Sequence, residues 1–386
     1  MRIGIFVNPY KDHLTSEQVR NAIIDGIKKA YKKKLKSVDI IYTEVADGGD
    51  GTLDTLSKHP EYKVIRCLAH NPLNELIECR YLIKGDTAII EMAEISGLRI
   101  LRGNRVPLEC GTYGVGEIIN DAIMKGSKKI YIGLGGSSTS DFGIGMAISL
   151  GIKFFNSKNN VIHKNLKEFL DLDKIDFSEK DRSIQNVEFI GLCDSDFITC
   201  GKNGVWSWSG QKGASLKDKL IIREAIKNIN RVVYKNIDKN IGYIRGGGSA
   251  GGLGSGIIAF LNGKLERGTD YIFKELDIEE KIKHVDLVIT AEGNFDYQST
   301  KGKATGEIIK FANKYDKQCV MFCGKKSKNW NTKNIDVSKL KIIETDINMY
   351  NLKYIKENKL GENFISTTSY KYFTKLNISN TNRFKK

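Results

Sequence analysis

Glycine-punctuated loops recur at four places in the 386-residue chain, three of them with acidic residues. Asp47 and Asp50 flank two glycines in 47–52, and Gly135, Gly136, Ser137, Ser138 and Thr139 lead to Asp141 in 133–141. Gly246, Gly247, Gly248, Ser249, Gly251, Gly252 and Gly254 crowd 246–254, while the apolar run 287–291 opens into Glu292, Gly293 and Asp296. Glycine lets backbone N–H groups approach an anion closely, and a helix that starts just after such a loop adds its positive dipole end. Carboxylates in the same loops can hold a hard divalent cation or accept a proton. A phosphate cradle, carboxylates for Mg²⁺, cations and a base near an acceptor hydroxyl are the parts that phosphoryl transfer needs.

Each loop also has an ordinary reading. Asp47 and Asp50 fit an Asp-Gly turn with a helix N-cap, and Glu292 and Asp296 fit caps for the helix that follows them. Two short motifs in the glycine run point elsewhere. Gly246, Gly248 and Gly251 have the spacing of a dinucleotide fingerprint, with Glu266 near the expected distance, but Glu266 directly follows a helix and does not end a second strand. Gly247, Ser249 and Gly251 have the spacing of a hydrolase nucleophile elbow, with His284 downstream; His284 precedes a strand, so it falls at the amino end of the sheet, away from the edge where ligands bind. No Gly-x-x-x-x-Gly-Lys-[Ser/Thr] run occurs, which argues against an ordinary P-loop ATPase. Lys11, Lys212 and Lys303 are the lysines adjacent to the special loops.

The elements that must position these loops follow from apolar periodicity. Runs of four to eight residues with β-branched enrichment predict strands at 2–7, 38–45, 64–68, 77–83, 87–92, 129–134, 187–192, 286–291, 319–323 and 340–344. Helical periodicity predicts helices at 16–32, 51–58, 113–125, 142–150, 216–235, 250–262, 269–282 and 302–314. Their alternation argues for parallel sheets, whereas the short connections within 60–95 argue for an antiparallel patch. Beyond about 325 the chain is rich in Lys, Asn and Tyr with weak periodicity, and its end from about 375 is expected to fray.

Composition narrows the function classes. The 40% hydrophobic residues supply real cores, and no window reaches the length of a spanning helix; the opening segment reads as a first strand and not a signal peptide. Seven cysteines without a Cys-x-x-Cys pair suggest neither a disulfide framework nor a zinc ribbon, and a reducing cytoplasm fits them. The formal net charge of +15 is spread over the chain, which favours a solvated basic surface over a nucleic-acid site.

Taken in order, the loops resemble the type I family of bacterial glycerate kinases. The matching stretches are Val45-Ala-Asp-Gly-Gly-Asp-Gly-Thr52, Ile90-Glu-Met-Ala-Glu-Ile-Ser-Gly-Leu98, Tyr113-Gly-Val-Gly-Glu117 and 133–141, then Cys193-Asp194, Gln211-Lys-Gly-Ala214, 247–254, and 290–298 with Gly302-Lys303. They lie in one register over roughly residues 3 to 323. The resemblance implies two α/β domains with the active site between them: a discontinuous Rossmann-like parallel-sheet domain (1–60 and 285–386) around an inserted mixed α/β domain (61–284). It further implies ATP-dependent phosphorylation of D-glycerate, with 2-phosphoglycerate as product. This chain departs from the family pattern at Asn8, where an acid is usual, at Asn294, where arginine is usual, and at Phe197 and Phe142 in place of asparagine and glycine.

Residues and resemblance together assign Asp47, Asp194, Asp296 and Lys303 to catalysis, and Asp194, Glu292 and Asp296 to Mg²⁺. Gly135, Gly136, Ser137, Lys212, Gly247, Gly248, Ser249 and Gly251 are assigned to nucleotide phosphates, and Lys11, Asp141 and Gln298 to the substrate. ATP and Mg²⁺ are the expected cofactors and a small hydroxy acid the partner, with no nucleic acid, no membrane and a homodimer left open. Two alternatives remain: a kinase of another small hydroxy acid or polyol, and a catalytically silent paralogue that binds ATP or a metabolite.

Overall fold

The structure, a computed structural model, describes residues 1–10, 14–32, 37–163, 165–297, 299–300, 302–328, 330, 335–345 and 360–383. It divides into two compact units, Met1–Ala46 with Ile272–Lys386, and Asp47–Tyr271.

The first unit begins with β1 (Arg2–Val7), α1 (Ser16–Tyr31) and β2 (Asp39–Glu44). From Ile3 onward β1 is buried, as a strand covered on both faces must be, and so its sequence is a continuous apolar run. Thr15 and Gln18 close a capping box on α1: Gln18 N donates to Thr15 Oγ1 at 3.2 Å and Thr15 N to Gln18 Oε1 at 2.9 Å.

The second unit then runs through α2 (Thr52–Leu56), β3 (Lys63–His70), β4 (Leu76–Lys84), β5 (Thr87–Glu91), α3 (Ala93–Ser96), α4 (Tyr113–Met124), β6 (Lys129–Gly133) and α5 (Ile144–Ser149). It continues with β7 (Lys153–Asn156), β8 (Leu172–Asp176), β9 (Glu188–Leu192), α6 (Val205–Trp208), α7 (Leu216–Ile237), α8 (Ser249–Leu261) and β10 (Lys264–Glu266), followed by α9 (Gly268–Glu275). Its six-stranded sheet has the order β10-β9-β6-β5-β4-β3. The β10, β9, β6 and β5 neighbours pair in parallel, and β5, β4 and β3 pair antiparallel, so the short connections of 60–95 make hairpins as expected. A separate antiparallel pair, β7 with β8, was not legible in the sequence, since four- and five-residue strands carry too little alternation to register.

The chain returns to the first unit through α10 (Ile278–Lys283), β11 (Leu287–Phe295), α11 (Ala304–Lys314), β12 (Gln318–Lys326), β13 (Leu340–Glu344) and α12 (Leu360–Arg383). All five strands of its sheet are parallel in the order β13-β12-β11-β1-β2, so β11, from late in the chain, pairs directly with β1. The single helix expected over 269–282 is in fact two, because Asp277 takes a left-handed φ of 50° between α9 and α10. The weakly periodic tail, expected to fray from about 375, is instead helical to Arg383. Its packing explains this. Ile365 and Phe373 are fully buried, Ser369 Oγ donates to Ile23 O at 2.9 Å and Ser366 Oγ to Asp25 Oδ2 at 2.5 Å, and a Cβ on Gly26 would stand 2.5 Å from Ser366 O. Small residues here let two helices approach backbone to backbone, a contact with no apolar stripe to announce it.

Candidate active site

In the second unit β5, β6, β9 and β10 run in parallel and end along one edge of the sheet, the edge where open α/β sheets bind ligands. The loops beyond that edge stack backbone on backbone. A Cβ on Gly133 would lie 2.4 Å from Gly48 O, one on Gly135 2.4 Å from Gly49 Cα, and one on Gly268 2.3 Å from Asp47 O. Asp50 lies against Gly136, whose missing Cβ would be 2.1 Å from Asp50 Oδ1, and Arg99 Nη2 is 3.2 Å from Asp50 Oδ2. Glu91 holds the end of the 47–51 loop and the start of α2. Its buried carboxylate accepts from Gly51 N at 3.1 Å and Leu53 N at 3.0 Å, and burial pushes it up to about 7 in spite of those two donors.

Asp194 extends from the loop directly after β9. Thr269 N lies 3.2 Å from both of its oxygens, and the Thr269 hydroxyl donates to Oδ2. Burial raises Asp194 to about 7; the Thr269 hydroxyl opposes the rise, and the negative charge of Asp47 adds to it. Asp47 turns one oxygen back to its own loop, accepting from Gly49 N at 3.2 Å. A buried carboxylate with a second negative charge beside it makes a place where a cation or a proton is welcome.

Ser137 and Lys212 meet as expected: Lys212 Nζ donates to Ser137 Oγ at 2.8 Å and to Thr139 O. Burial lowers Lys212 to about 8 against the pull of Asp141 and Cys110. Asp141, given to the substrate in the sequence reading, has protein donors on both oxygens. Thr112 N (2.8 Å), Thr112 Oγ1 (2.7 Å) and Gly145 N (3.1 Å) reach Oδ2, and Gly143 N (3.3 Å) reaches Oδ1. It braces the turn into α5, and burial raises its pKa.

In the glycine run, Ala250, Gly251 and Gly252 take left-handed φ values of 52°, 70° and 96°, so the right-handed part of α8 begins only after them. A Cβ on Gly251 would lie 2.0 Å from Thr139 O, one on Gly248 2.4 Å from Ile198 O and one on Gly247 2.6 Å from Ser255 Oγ. Gly251 and Gly248 thus pack directly against the backbone at 139–140 and 197–198, and Gly247 against the Ser255 side chain. Ser249 Oγ pairs with Ser195 Oγ at 2.7 Å, and His284 Nδ1 lies 2.9 Å from Glu280 O just ahead of β11.

In the first unit the acidic loop follows β11. Glu292 is the residue of β11 opposite Cys323 of β12, and Asp296 stands just past the strand. Asp296 Oδ2 accepts from Asn294 Nδ2 at 2.9 Å and its Oδ1 from Ser299 N at 3.3 Å. Asn294 thus orients the acid two residues on. Asn8 Nδ2 donates to Thr305 Oγ1 at 3.3 Å, and its backbone N donates to Ala291 O. Lys303 is the N-cap residue of α11. Lys11 and Gln298 lie outside the described residues.

Among the described residues no three His, Cys, Asp or Glu side chains converge as a ready-made metal cage. Mg²⁺ commonly needs only one or two carboxylates beside waters and phosphate oxygens, and the Asp47–Asp194 pair suits such a cation. Thr269, Glu91 and Arg99 were not among the residues expected at the site. Glu91 had a usable signal, an acid at the carboxyl end of an apolar strand like Glu292; Thr269, 75 residues from Asp194, had none.

A parallel α/β unit assembled from both ends of the chain, a mixed α/β unit between them, and acidic, glycine-lined strand ends define a two-domain α/β kinase. The model of the glycerate kinase family matches residues 3–353, and the chain belongs to that family. It is 33% identical over 328 residues to a glycerate kinase of Halalkalibacterium halodurans, covering 83% of this chain and 85% of the relative. It is 32% identical over 328 residues to the glycerate 2-kinase of Escherichia coli strain K12, covering 84% and 85%. A crystal structure from Salmonella typhimurium LT2 assigned as a glycerate kinase 2 superposes with a TM-score of 0.80 at 26% identity over 99% of both chains.

Proposed function

We propose that the chain transfers the γ-phosphoryl group of ATP to D-glycerate, with Mg²⁺, and forms 2-phosphoglycerate. The relatives named glycerate kinase and glycerate 2-kinase support the substrate. The observation that carries the chemistry is Asp194, raised to about 7 at the end of β9 beside Asp47. A carboxylate that titrates near neutrality is matched to take a proton from a hydroxyl and release it again. In this reading Thr269 holds Oδ2 of Asp194 while Oδ1 accepts the proton of the glycerate hydroxyl, whose oxygen bonds to the γ-phosphorus as ADP leaves. Ser137, Gly135, Gly136 and Lys212 attend the phosphates; Lys212, lowered to about 8 by burial, keeps its charge at neutral pH and holds it more firmly when phosphate charge arrives. Lys303 adds a second cation. In the first unit Glu292 and Asp296 are the residues that would hold Mg²⁺, which would neutralise phosphate charge.

Product phosphorus NMR with ATP, Mg²⁺ and D-glycerate tests the reading. A ³¹P signal split into a doublet by one carbon-bound proton is expected; a triplet from a CH₂–O–P group means transfer to the other hydroxyl, and no ADP release with D-glycerate overturns the function. Asn294 favours one second reading, a kinase of another small hydroxy acid, because it replaces a cation that could touch a carboxylate. ADP release measured across a panel of hydroxy acids separates the two.

A further inference from the structure

Cys67 on β3 and Cys79 on β4 are directly opposite residues of an antiparallel pair, and their Sγ atoms stand 3.5 Å apart. Both are free thiols, Cys79 buried in the core beneath α4 and Cys67 half-buried at its rim. Directly opposed residues have Cα atoms about 4.5–5.5 Å apart. A disulfide accepts about 4.4–6.8 Å, so bonding distance needs side-chain rotation and no shift of register. Among the described residues all seven cysteines are free, and Cys319 and Cys323 lie on one strand. The pair lies on the hairpin at the β3 edge of the sheet, and no part of the proposed phosphoryl transfer uses it.

We propose that Cys67 and Cys79 form a dithiol modification site that reacts with small-molecule disulfides and closes to a cross-strand disulfide. The Cys67 thiolate attacks one sulfur of the small disulfide, bonding to it and releasing the other half as a thiolate. Cys79 then gives up its proton, attacks Cys67 Sγ and expels the second half. The two protein thiols lose two electrons and two protons in all, and the small disulfide is reduced to two thiols. The hydrogen bond with Cys79 lowers the Cys67 thiol and sets Cys67 as the attacking group. The same contact with Cys67, followed by burial, raises Cys79; once Cys67 is in the mixed disulfide that first cause is gone.

The test uses the folded full chain with oxidised glutathione, followed by alkylation and non-reducing peptide mapping. A 67–79 linked peptide, two hydrogens lighter and reopened by dithiothreitol, is expected. Cys79→Ser should trap a glutathione adduct on Cys67, and wild type should hold that adduct at a level at least about tenfold lower, because the neighbouring thiol acts at high effective concentration. If wild type keeps a stable adduct on Cys67 with Cys79 still alkylatable, or if both thiols remain alkylatable, the proposal is wrong. The wild-type map decides this even where a serine variant fails to fold.

Discussion

At the scale of single residues the chemistry turns on carboxylates whose neighbours set their charge. Asp194 is raised from 3.8 to about 7 in the folded chain, mainly by burial. A folded pKa above the unfolded one means that this group's contribution to stability is full below about 4 and is lost as pH climbs to 7, since the folded state must then carry an ill-solvated charge. Asp194→Asn cannot ionise. In metal- and nucleotide-free protein its melting temperature should therefore match wild type near pH 4, exceed it progressively up to pH 7 and hold a constant lead above that. Glu91, also near 7, cancels in this difference because both proteins carry it. The same variant should lose roughly 100- to 10,000-fold in turnover, the scale of a positioned proton acceptor. Unchanged half-saturation by Mg²⁺ marks Asp194 as the base, a raised one marks it as a ligand, and wild-type turnover removes it from the mechanism.

At the scale of elements, glycine decides how closely the loops stack. Gly251 and Gly51 both have positive φ, 70° and 90°, yet their surroundings differ. A methyl group on Gly251 meets Thr139 O at 2.0 Å, whereas nothing lies within 4 Å of one on Gly51. Gly51→Ala should cost only the left-handed backbone penalty of about 1–2 kcal/mol. Gly251→Ala must also push the 139–143 segment away and should cost at least about 3 kcal/mol. Urea unfolding of the two variants checks this; equal losses would mean that close packing is not what Gly251 provides.

At the scale of the molecule, the first unit depends on chain ends that meet. β1 pairs with β11 and β2, while α1 takes its cover from α12, whose Phe373 is fully buried in the same core as Val19, Ile23 and Ile27. Phe373→Ala should therefore destabilise by about 3–5 kcal/mol, as large core truncations do. Chemical denaturation gives the value, and a loss under 1 kcal/mol would show α12 to be an ornament to the fold. Among the described residues no helix is long and apolar enough to cross a membrane.

The sequence by itself determined the strands and the loops that follow them. Parallel strands buried on both faces are written as unbroken apolar runs, so β1, β6, β9 and β11 could be read directly, and the acids after them could be placed at strand ends. Local chemistry also sufficed for the α1 start, where Thr15 and Gln18 complete a capping box within four residues. Only the tertiary structure decided which distant groups meet. That Thr269 holds Asp194, that Glu91 holds Gly51 and Leu53, and that Cys67 faces Cys79 depend on strand order and register, which no window of sequence contains. The same holds for α12 and for the left-handed turn at Ala250, Gly251 and Gly252. A helix without an apolar stripe and a glycine run without a helical period are stabilised by what they pack against, and that partner lies elsewhere in the chain.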